Sequence, residues 1–159
     1  MTIRWGMTVP LSGIPLADHA PVYAALDRAG FTDVWSSEVA GADAFTPLAL
    51  AAAWQPRLRL GTAIAPVFTR GPGLLAMSAA ALAEAAPGRF ALGIGASSPV
   101  LVRDWNAGRF EEPYQRTRDM LRFLRAALCG TRRTGWSSTR CPARPPRARA
   151  PAAGSCRPR

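Results

Sequence analysis

The stretch APGRFALGIGASSP (residues 86–99) decides the fold, because an apolar run typical of a buried strand ends there in two glycines, an alanine and two serines. Small residues at the end of a strand allow another group to approach the backbone closely. A phosphate and a flat ring both fit that description. Similar strand-like runs, each followed by a longer helical pattern, occur at three earlier positions of the chain.

The alternation predicts four βα units. Strands are expected over residues 3–9, 31–37, 58–67 and 90–95. Helices are expected over about 18–29, 47–55, 72–86 and from 113 onward, the last after a 17-residue loop. Strands separated by helices of this length are most simply parallel and joined by right-handed crossovers. Ligands in such folds lie at the carboxyl ends of the strands, where the opening stretch also ends.

Several helix boundaries are marked by residues that favour helix ends. Asp18 and Thr46 are expected as N-caps, Pro47 at the first helical position, and Gly30 in the left-handed conformation after the first helix. The fourth helix is expected to pack one apolar stripe on a sheet, with Arg116, Arg122 and Arg125 outside it. That stripe consists of Tyr114, Thr117, Leu121, Leu124 and Leu128.

The composition limits the functional classes. The chain has 159 residues and a net charge of +10, with arginine and no lysine. The absence of lysine excludes a P-loop, which needs one to reach a nucleotide phosphate. Gly93 and Gly95 supply the first two glycines of a GxGxxG dinucleotide fingerprint, but Ser98 replaces the third. The motif also follows the fourth strand rather than the first, so we disfavour dinucleotide binding.

Four segments resemble the luciferase-like monooxygenase superfamily, and within it the coenzyme F420-dependent oxidoreductases. They are GFTDVWSSE (30–38), RLRLGTAIAP (57–66), the opening stretch (86–99) and WNAGRFEEPYQRTRDMLRFLRAAL (105–128). The resemblance covers residues 3–130. It implies an α/β fold, namely the N-terminal half of a (β/α)8 TIM barrel, a fold that typically needs roughly 250 residues.

The same resemblance implies a function and a site. The family transfers a hydride between coenzyme F420 and a small organic substrate; an FMN-dependent monooxygenase is the alternative. Glu38 is the expected acid or base, and a bulge with a non-prolyl cis peptide is expected behind the ring at Ala63 and Ile64. The expected cofactor-binding residues are Ala63, Ile64, Ala65, Gly95, Ala96, Ser97 and Ser98.

Each of these residues has a structural alternative. Close packing inside a barrel is a sufficient cause for Gly93 and Gly95, and Glu38 is equally explained as a solvated cap. His19, the single histidine, is expected to be a solvated first-turn residue rather than a catalytic base. Trp105 and Phe110 lie in a loop that is able to cover the site.

The last 29 residues differ from the rest in composition. Residues 131–159 hold eight arginines and no acidic residue, and we expect a disordered Arg/Pro-rich tail after a domain of residues 1–130. A truncated or frame-shifted reading of a GC-rich gene explains this tail. We therefore expect this chain to be inactive alone. A second hypothesis, the less favoured one, is that the tail binds nucleic acid or an acidic partner.

Weaker features of the sequence bear on cellular location, metal binding and assembly. Nothing near Met1 resembles a signal peptide and no apolar run is long enough for a membrane span, so a cytoplasmic protein without a membrane partner is expected. The spacing of the three cysteines fits no metal site. Two copies are able to pair through their open sheet edges as a homodimer.

Overall fold

The computed structural model describes residues 3–39 and 41–130, so the interpretation of residues 131–159 lies outside the described chain. The strands β1 to β6 are Gly6–Val9, Asp33–Ser36, Arg59–Thr62, Ala65–Pro66, Phe90–Ala91 and Ile94–Gly95. The helices α1 to α4 are Ala20–Arg28, Thr46–Trp54, Pro72–Ala85 and Pro113–Gly130. A 3-10 turn at Leu16–Asp18 precedes α1, and a π-helical segment at Val100–Trp105 precedes α4.

The strands form two parallel groups. The larger sheet has the order β1-β2-β3-β5, and β4 pairs with β6. Every pairing is parallel, which confirms the predicted series of βα units. β3 and β4 are the two parts of the third predicted strand, and β5 and β6 are the two parts of the fourth.

The breaks in these two strands lie side by side. The third strand is interrupted where the Ala63–Ile64 peptide bond is cis, as the resemblance implied. The Thr62 hydroxyl then accepts a hydrogen bond from the Gly93 N–H and donates one to the Gly93 carbonyl, both at 2.8 Å. A Cβ at Gly93 would lie 2.1 Å from the carbonyl oxygen of Thr62. Close strand packing therefore explains Gly93.

Trp35 covers the face of the sheet that lies away from the helices. A Cβ at Gly6 on β1 would lie 2.7 Å from the indole Nε1, and one at Gly61 on β3 would lie 2.2 Å from Cζ3. The indole of Trp35 therefore spreads over both neighbouring strands, and only glycine leaves it room.

The helices pack against the other face in chain order. α1 contacts α2, α2 contacts α3, and α3 contacts α4. The core between them and the sheet contains fully buried side chains, among them Val34, Leu48, Leu58 and Leu75. The buried Tyr23 hydroxyl donates to the Pro47 carbonyl at 3.0 Å and so fastens α1 to the first turn of α2. Burial raises the pKa of Tyr23 to about 12.

Two predicted N-caps are wrong. Asp18 ends the 3-10 turn, and His19 takes the N-cap position of α1 without a side-chain capping bond. Thr46 is the first residue of α2, and its N–H donates to the Asp43 carboxylate at 2.7 Å. Asp43 therefore accepts from the first free N–H of α2, and Thr46 lies inside the helix instead of capping it. Gly30 has φ of 86°, as predicted.

The predicted environment of His19 is also wrong. Its side chain is fully buried, with Nε2 accepting from the Leu11 N–H at 2.9 Å and Nδ1 lying 2.9 Å from the Pro15 carbonyl. An Nε2 that accepts carries no proton, so Nδ1 donates to Pro15. The histidine ties the loop after β1 to the start of α1, because the chain folds back over it.

The segment before α4 and the buried face of α4 differ from expectation. Part of the expected 17-residue loop is helical, at Val100–Trp105. On α4, Met120 and Leu124 are buried, whereas Tyr114 is 75% and Leu121 is 42% exposed. Leu124 confirms part of the predicted stripe, whereas the buried Met120 lies outside that stripe, and α4 contacts mainly α3 rather than the sheet.

Two further features bear on assembly. β1 and β5 lie at the edges of the larger sheet within the described residues. Pairing of two copies through these edges stays a prediction. Among the helices of residues 3–39 and 41–130, none has the length and apolar character needed to cross a membrane.

Candidate functional site

A cavity of about 370 Å³ lies at the carboxyl ends of the strands. The segments that follow β2 and β6 and the break between β3 and β4 form its walls. Its lining residues are Ser37, Glu38, Val39, Ala63, Ile64, Ser97, Ser98, Val100, Leu101 and Trp105.

The cavity brings together most of the site residues predicted from the sequence. Those that line it are Glu38, Ala63, Ile64, Ser97 and Ser98. The other three predicted residues, Ala65, Gly95 and Ala96, are not part of the lining. Ala65 is fully buried beneath it. A Cβ at Gly95 would lie 3.2 Å from the Ile64 side chain, so Gly95 makes room for a residue that lines the cavity.

Glu38 is held by donors from two segments, residue 44 before α2 and residues 69–70 before α3. Its Oε2 accepts from Arg70 Nε at 3.0 Å, from Arg70 Nη2 at 2.8 Å and from the Ala44 N–H at 3.3 Å. Its Oε1 accepts from the Thr69 hydroxyl at 3.0 Å. The Glu38 side chain is 17% exposed. It is therefore not the solvated cap of the structural alternative.

Arg70 is itself fixed on two other sides. Nη2 also donates to the Asp43 carboxylate at 3.0 Å, and the guanidinium lies 4.9 Å from the centre of the Phe45 ring. Burial raises the pKa of Asp43, but hydrogen bonds from Thr46 and Arg70 outweigh it, and the net pKa is lowered. The result is a charged cluster of Glu38, Arg70 and Asp43 at the edge of the cavity.

The opposite wall is shaped by the backbone. Ser97 has φ of 65°, a left-handed conformation that residues other than glycine adopt rarely. Ser98 lies just before the π-helical segment, and its hydroxyl accepts from the Leu101 N–H at 3.3 Å. The Asn106 side chain donates to the Leu101 carbonyl at 2.7 Å and fixes the far end of the segment.

The rim of the cavity is apolar and exposed. Val39 is 64%, Val100 is 55% and Trp105 is 60% exposed. Trp105 lines the cavity, in agreement with its expected covering position. Phe110 lies elsewhere, stacked against Phe68 with 5.0 Å between ring centres. Exposed apolar side chains grouped at one rim favour contact with an apolar molecule.

Sequence reasoning missed Thr69, Arg70 and Asp43. A signal was present, since Arg70 and Glu38 follow neighbouring strands of a predicted parallel sheet and carry opposite charges. The carboxyl ends of parallel strands meet at one edge, which makes such a pair a candidate for contact. Thr69 and Arg70 lie in the turn after the third strand, beyond the predicted site residues.

The cavity fits a flat organic group better than a metal ion. Within residues 3–39 and 41–130, no group of three or more His, Cys, Asp and Glu residues is able to hold a metal. The cavity volume lies at the low end of the range of roughly 300–1,000 Å³ typical of small-molecule sites. Such sites combine apolar walls with a few polar groups, as Ile64, Trp105 and Glu38 do here.

Comparison with known families identifies the chain. The family model described as luciferase-like monooxygenase matches residues 3–155. The chain belongs to this family. The match extends beyond residue 130, where the sequence interpretation ended the resemblance. The segment involved lies outside the described residues, and its frame-shifted origin stays a prediction.

Relatives of this luciferase-like chain include two proteins of Mycobacterium tuberculosis. Rv3520c, which is named as a coenzyme F420-dependent oxidoreductase, is 40% identical over 111 residues. The uncharacterized protein Rv1360 is 38% identical over 115 residues. In both cases the match covers 70% of this chain and 32% of the relative. The luciferase-like chain therefore spans about a third of the length of these relatives.

Solved structures share the fold. The oxygenating constituent of 3,6-diketocamphane monooxygenase from Pseudomonas putida, in complex with FMN, superimposes with a TM-score of 0.68 at 18% identity. The coenzyme F420-dependent tetrahydromethanopterin reductase from Methanopyrus kandleri gives 0.66 at 18% identity. The matches cover 79% of this chain and 39% and 40% of those chains. The described residues of the luciferase-like chain thus form the N-terminal part of a (β/α)8 barrel.

Proposed function

We propose that these residues form the ring-binding part of an oxidoreductase that transfers a hydride between coenzyme F420 and a small organic substrate. The cavity carries this proposal, because it joins the ends of three consecutive strands and has one charged wall and one apolar rim. The name of the relative Rv3520c supports F420 as the cofactor.

The chain's own groups hold and orient the ring. Ala63 and Ile64 form the floor of the cavity, and the hydroxyls of Ser97 and Ser98 offer hydrogen bonds from one wall. Val100 and Trp105 are exposed apolar side chains at the rim, and they would shield a bound ring from water. When bound, the ring supplies the hydride chemistry, and the protein contributes binding, orientation and electrostatics. Glu38 is the ionisable group that lies beside the reacting molecules.

An FMN-dependent monooxygenase is the second candidate. The description of the matching family as a monooxygenase favours it. The two candidates differ in their reaction with oxygen, since reduced flavin activates oxygen in the second. Oxygen consumption by the purified relative Rv3520c, with reduced F420 and with reduced FMN, distinguishes them. Consumption with FMN but not with F420 favours the monooxygenase.

Ring binding is tested directly on this chain by protein NMR. FMN and F420 are titrated separately, and we expect shifts confined to amides around the cavity, including Ser37, Ile64 and Ser97. We expect affinities weaker than micromolar, because barrels of this kind commonly bind phosphate through loops after strands seven and eight, and residues 3–39 and 41–130 form only the first four strand positions. The proposal is wrong if millimolar concentrations of both compounds leave these amides unchanged. Turnover by this chain alone would contradict the expected inactivity.

A second test asks whether ring binding depends on the cavity rather than on another part of the fold. Gly95→Phe places a bulky group against Ile64 and should push that side chain into the cavity. We expect the FMN-induced and F420-induced shifts to disappear. Ala81→Phe, at an exposed position of α3, is the control. Unchanged ring binding in Gly95→Phe would contradict the assigned pocket, provided that the variant retains its helical circular dichroism.

A further inference from the structure

We infer that Arg70 is a positioning residue, which occupies one oxygen of Glu38 so that the other is offered to an N–H or O–H group of the bound ring. The inference rests on the proposed function, because the ring is what the cavity is proposed to hold. It assigns Glu38 a role as a fixed hydrogen-bond acceptor rather than as an acid.

The distribution of donors over the two carboxylate oxygens carries the inference. Oε2 has three donors, two from Arg70 and one from the Ala44 N–H. Oε1 has a single donor, the Thr69 hydroxyl. Each carboxylate oxygen accepts about two hydrogen bonds. Oε2 is therefore saturated, and Oε1 retains a free acceptor position on a residue that lines the cavity.

Arg70 is suited to this task because it cannot move freely. Its guanidinium bridges Glu38 and Asp43, lies over the Phe45 ring, and is only 13% exposed. A guanidinium is charged at every pH that proteins tolerate, and its planar set of donors fixes direction as well as charge. Two hydrogen bonds from one guanidinium therefore hold the Glu38 carboxylate in a fixed orientation.

The ligand chemistry follows from the free oxygen. An acceptor at this position recognises a ligand edge that carries a hydrogen-bond donor. The pyrimidine part of both flavin and deazaflavin rings carries one such donor, the N3–H group. A charge-assisted hydrogen bond from N3–H to Glu38 would hold the ring in one orientation.

The test compares FMN with its N3-methyl derivative, which lacks this donor. Both are titrated into the 159-residue chain and followed by flavin fluorescence and protein NMR. We expect N3-methylation to weaken binding about tenfold, the effect of one hydrogen bond to a charged group. The measured quantity is the ratio of the two dissociation constants. The contributions of the phosphate and the ribityl chain to binding are the same for both ligands and cancel in this ratio.

Three variants assign this ratio to Arg70. In Arg70→Gln and in Glu38→Gln we expect the ratio to fall to about one, because the acceptor is reoriented or lost. Arg70→Lys should retain part of the ratio, since an ammonium keeps the charge without the planar fork. Arg57→Gln, which breaks an exposed ion pair with Asp27 far from the cavity, is the matched control and should keep the full ratio.

The outcomes separate the two proposals. A merely structural Arg70 would weaken both ligands equally, so an unchanged ratio in Arg70→Gln overturns the inference. If that variant does not fold, a ratio in Arg70→Lys equal to the wild-type value overturns it instead. A ratio of one in the wild-type chain also overturns it, while FMN binding upholds the proposed function. Absence of all FMN and F420 binding at millimolar concentration overturns both.

Discussion

The two polar walls of the cavity are built by different means. The Glu38 wall consists of Glu38 and Asp43 from the loop before α2 and Arg70 from the loop before α3, which pair with one another and are partly or largely buried. The serine wall, residues 97–105, takes its shape from backbone hydrogen bonds and a left-handed residue, and it leaves Val100 and Trp105 exposed. The Glu38 wall is thus fixed within the described residues, whereas the serine wall presents surface that nothing in this part of the chain covers.

Both walls depend on the contact between the third and fourth strands, where we expect the largest effect. Gly93→Ala would place a Cβ against the Thr62 carbonyl and should lower the free energy of unfolding by about 3 kcal/mol. Urea denaturation followed by circular dichroism measures it. Gly73→Ala is the control, since nothing lies within 4 Å of a Cβ there. Equal free energies of unfolding for the two variants would show that the strands move apart to accommodate the added methyl group.

The Glu38 wall should be the wall that contributes to stability. Arg70→Met leaves Glu38 and Asp43 without their shared partner, and we expect a loss of about 2 kcal/mol, reduced from that of a fully buried pair by partial exposure. Arg125→Met, at an exposed position of α4, should change the free energy of unfolding by less than about 0.5 kcal/mol. If Arg70→Met were as stable as the control, the wall would not be fixed by its charges.

Tyr23 fastens α1 to α2, the helix that follows the Glu38 wall, through its hydrogen bond to the Pro47 carbonyl. Tyr23→Phe should cost about 1 kcal/mol, the contribution of one hydrogen bond. Because the folded-state pKa of about 12 exceeds the ordinary 10.0, this contribution is complete below pH 10 and is lost as pH rises towards 12. The variant should lack that alkaline decline.

The pKa itself is measurable in this chain. The sequence contains two tyrosines, so Tyr114→Phe leaves Tyr23 as the only one. We expect the tyrosinate absorbance of that variant to rise with a midpoint of about 12. A midpoint near 10 would show that the Tyr23 hydroxyl is reached by water.

The smallest effect is expected at the exposed rim of the serine wall. Trp105→Ala removes a side chain that is 60% exposed and should change the free energy of unfolding by about 0.5 kcal/mol or less. Leu101→Ala, four residues earlier on the same segment and buried, should cost about 2 kcal/mol. If Trp105→Ala were equally costly, the rim would serve folding rather than a ligand.

Local patterns were sufficient for much of the fold. The four strand positions, the start of α3 at Pro72 and of α4 at Pro113, and the left-handed Gly30 follow from periodicity and from the backbone chemistry of proline and glycine. Thr46 was wrong as an N-cap because it is itself helical and its N–H is satisfied by Asp43, three residues earlier. Asp18 was wrong because a 3-10 turn at Leu16–Asp18 precedes α1. The π-helical segment at Val100–Trp105 was missed because no periodicity marks a helix of six residues.

The sequence by itself determined the parallel βα order, the family and five of the residues that line the cavity, because these depend on local pattern and on motif. Tertiary structure alone decided that His19 is buried and that Gly93 meets the Thr62 carbonyl. It also decided that Arg70 reaches Glu38 across 32 residues of chain. The physical reason is that burial and ion pairing depend on which segments contact each other in space. The separation of two residues along the chain does not reveal that contact.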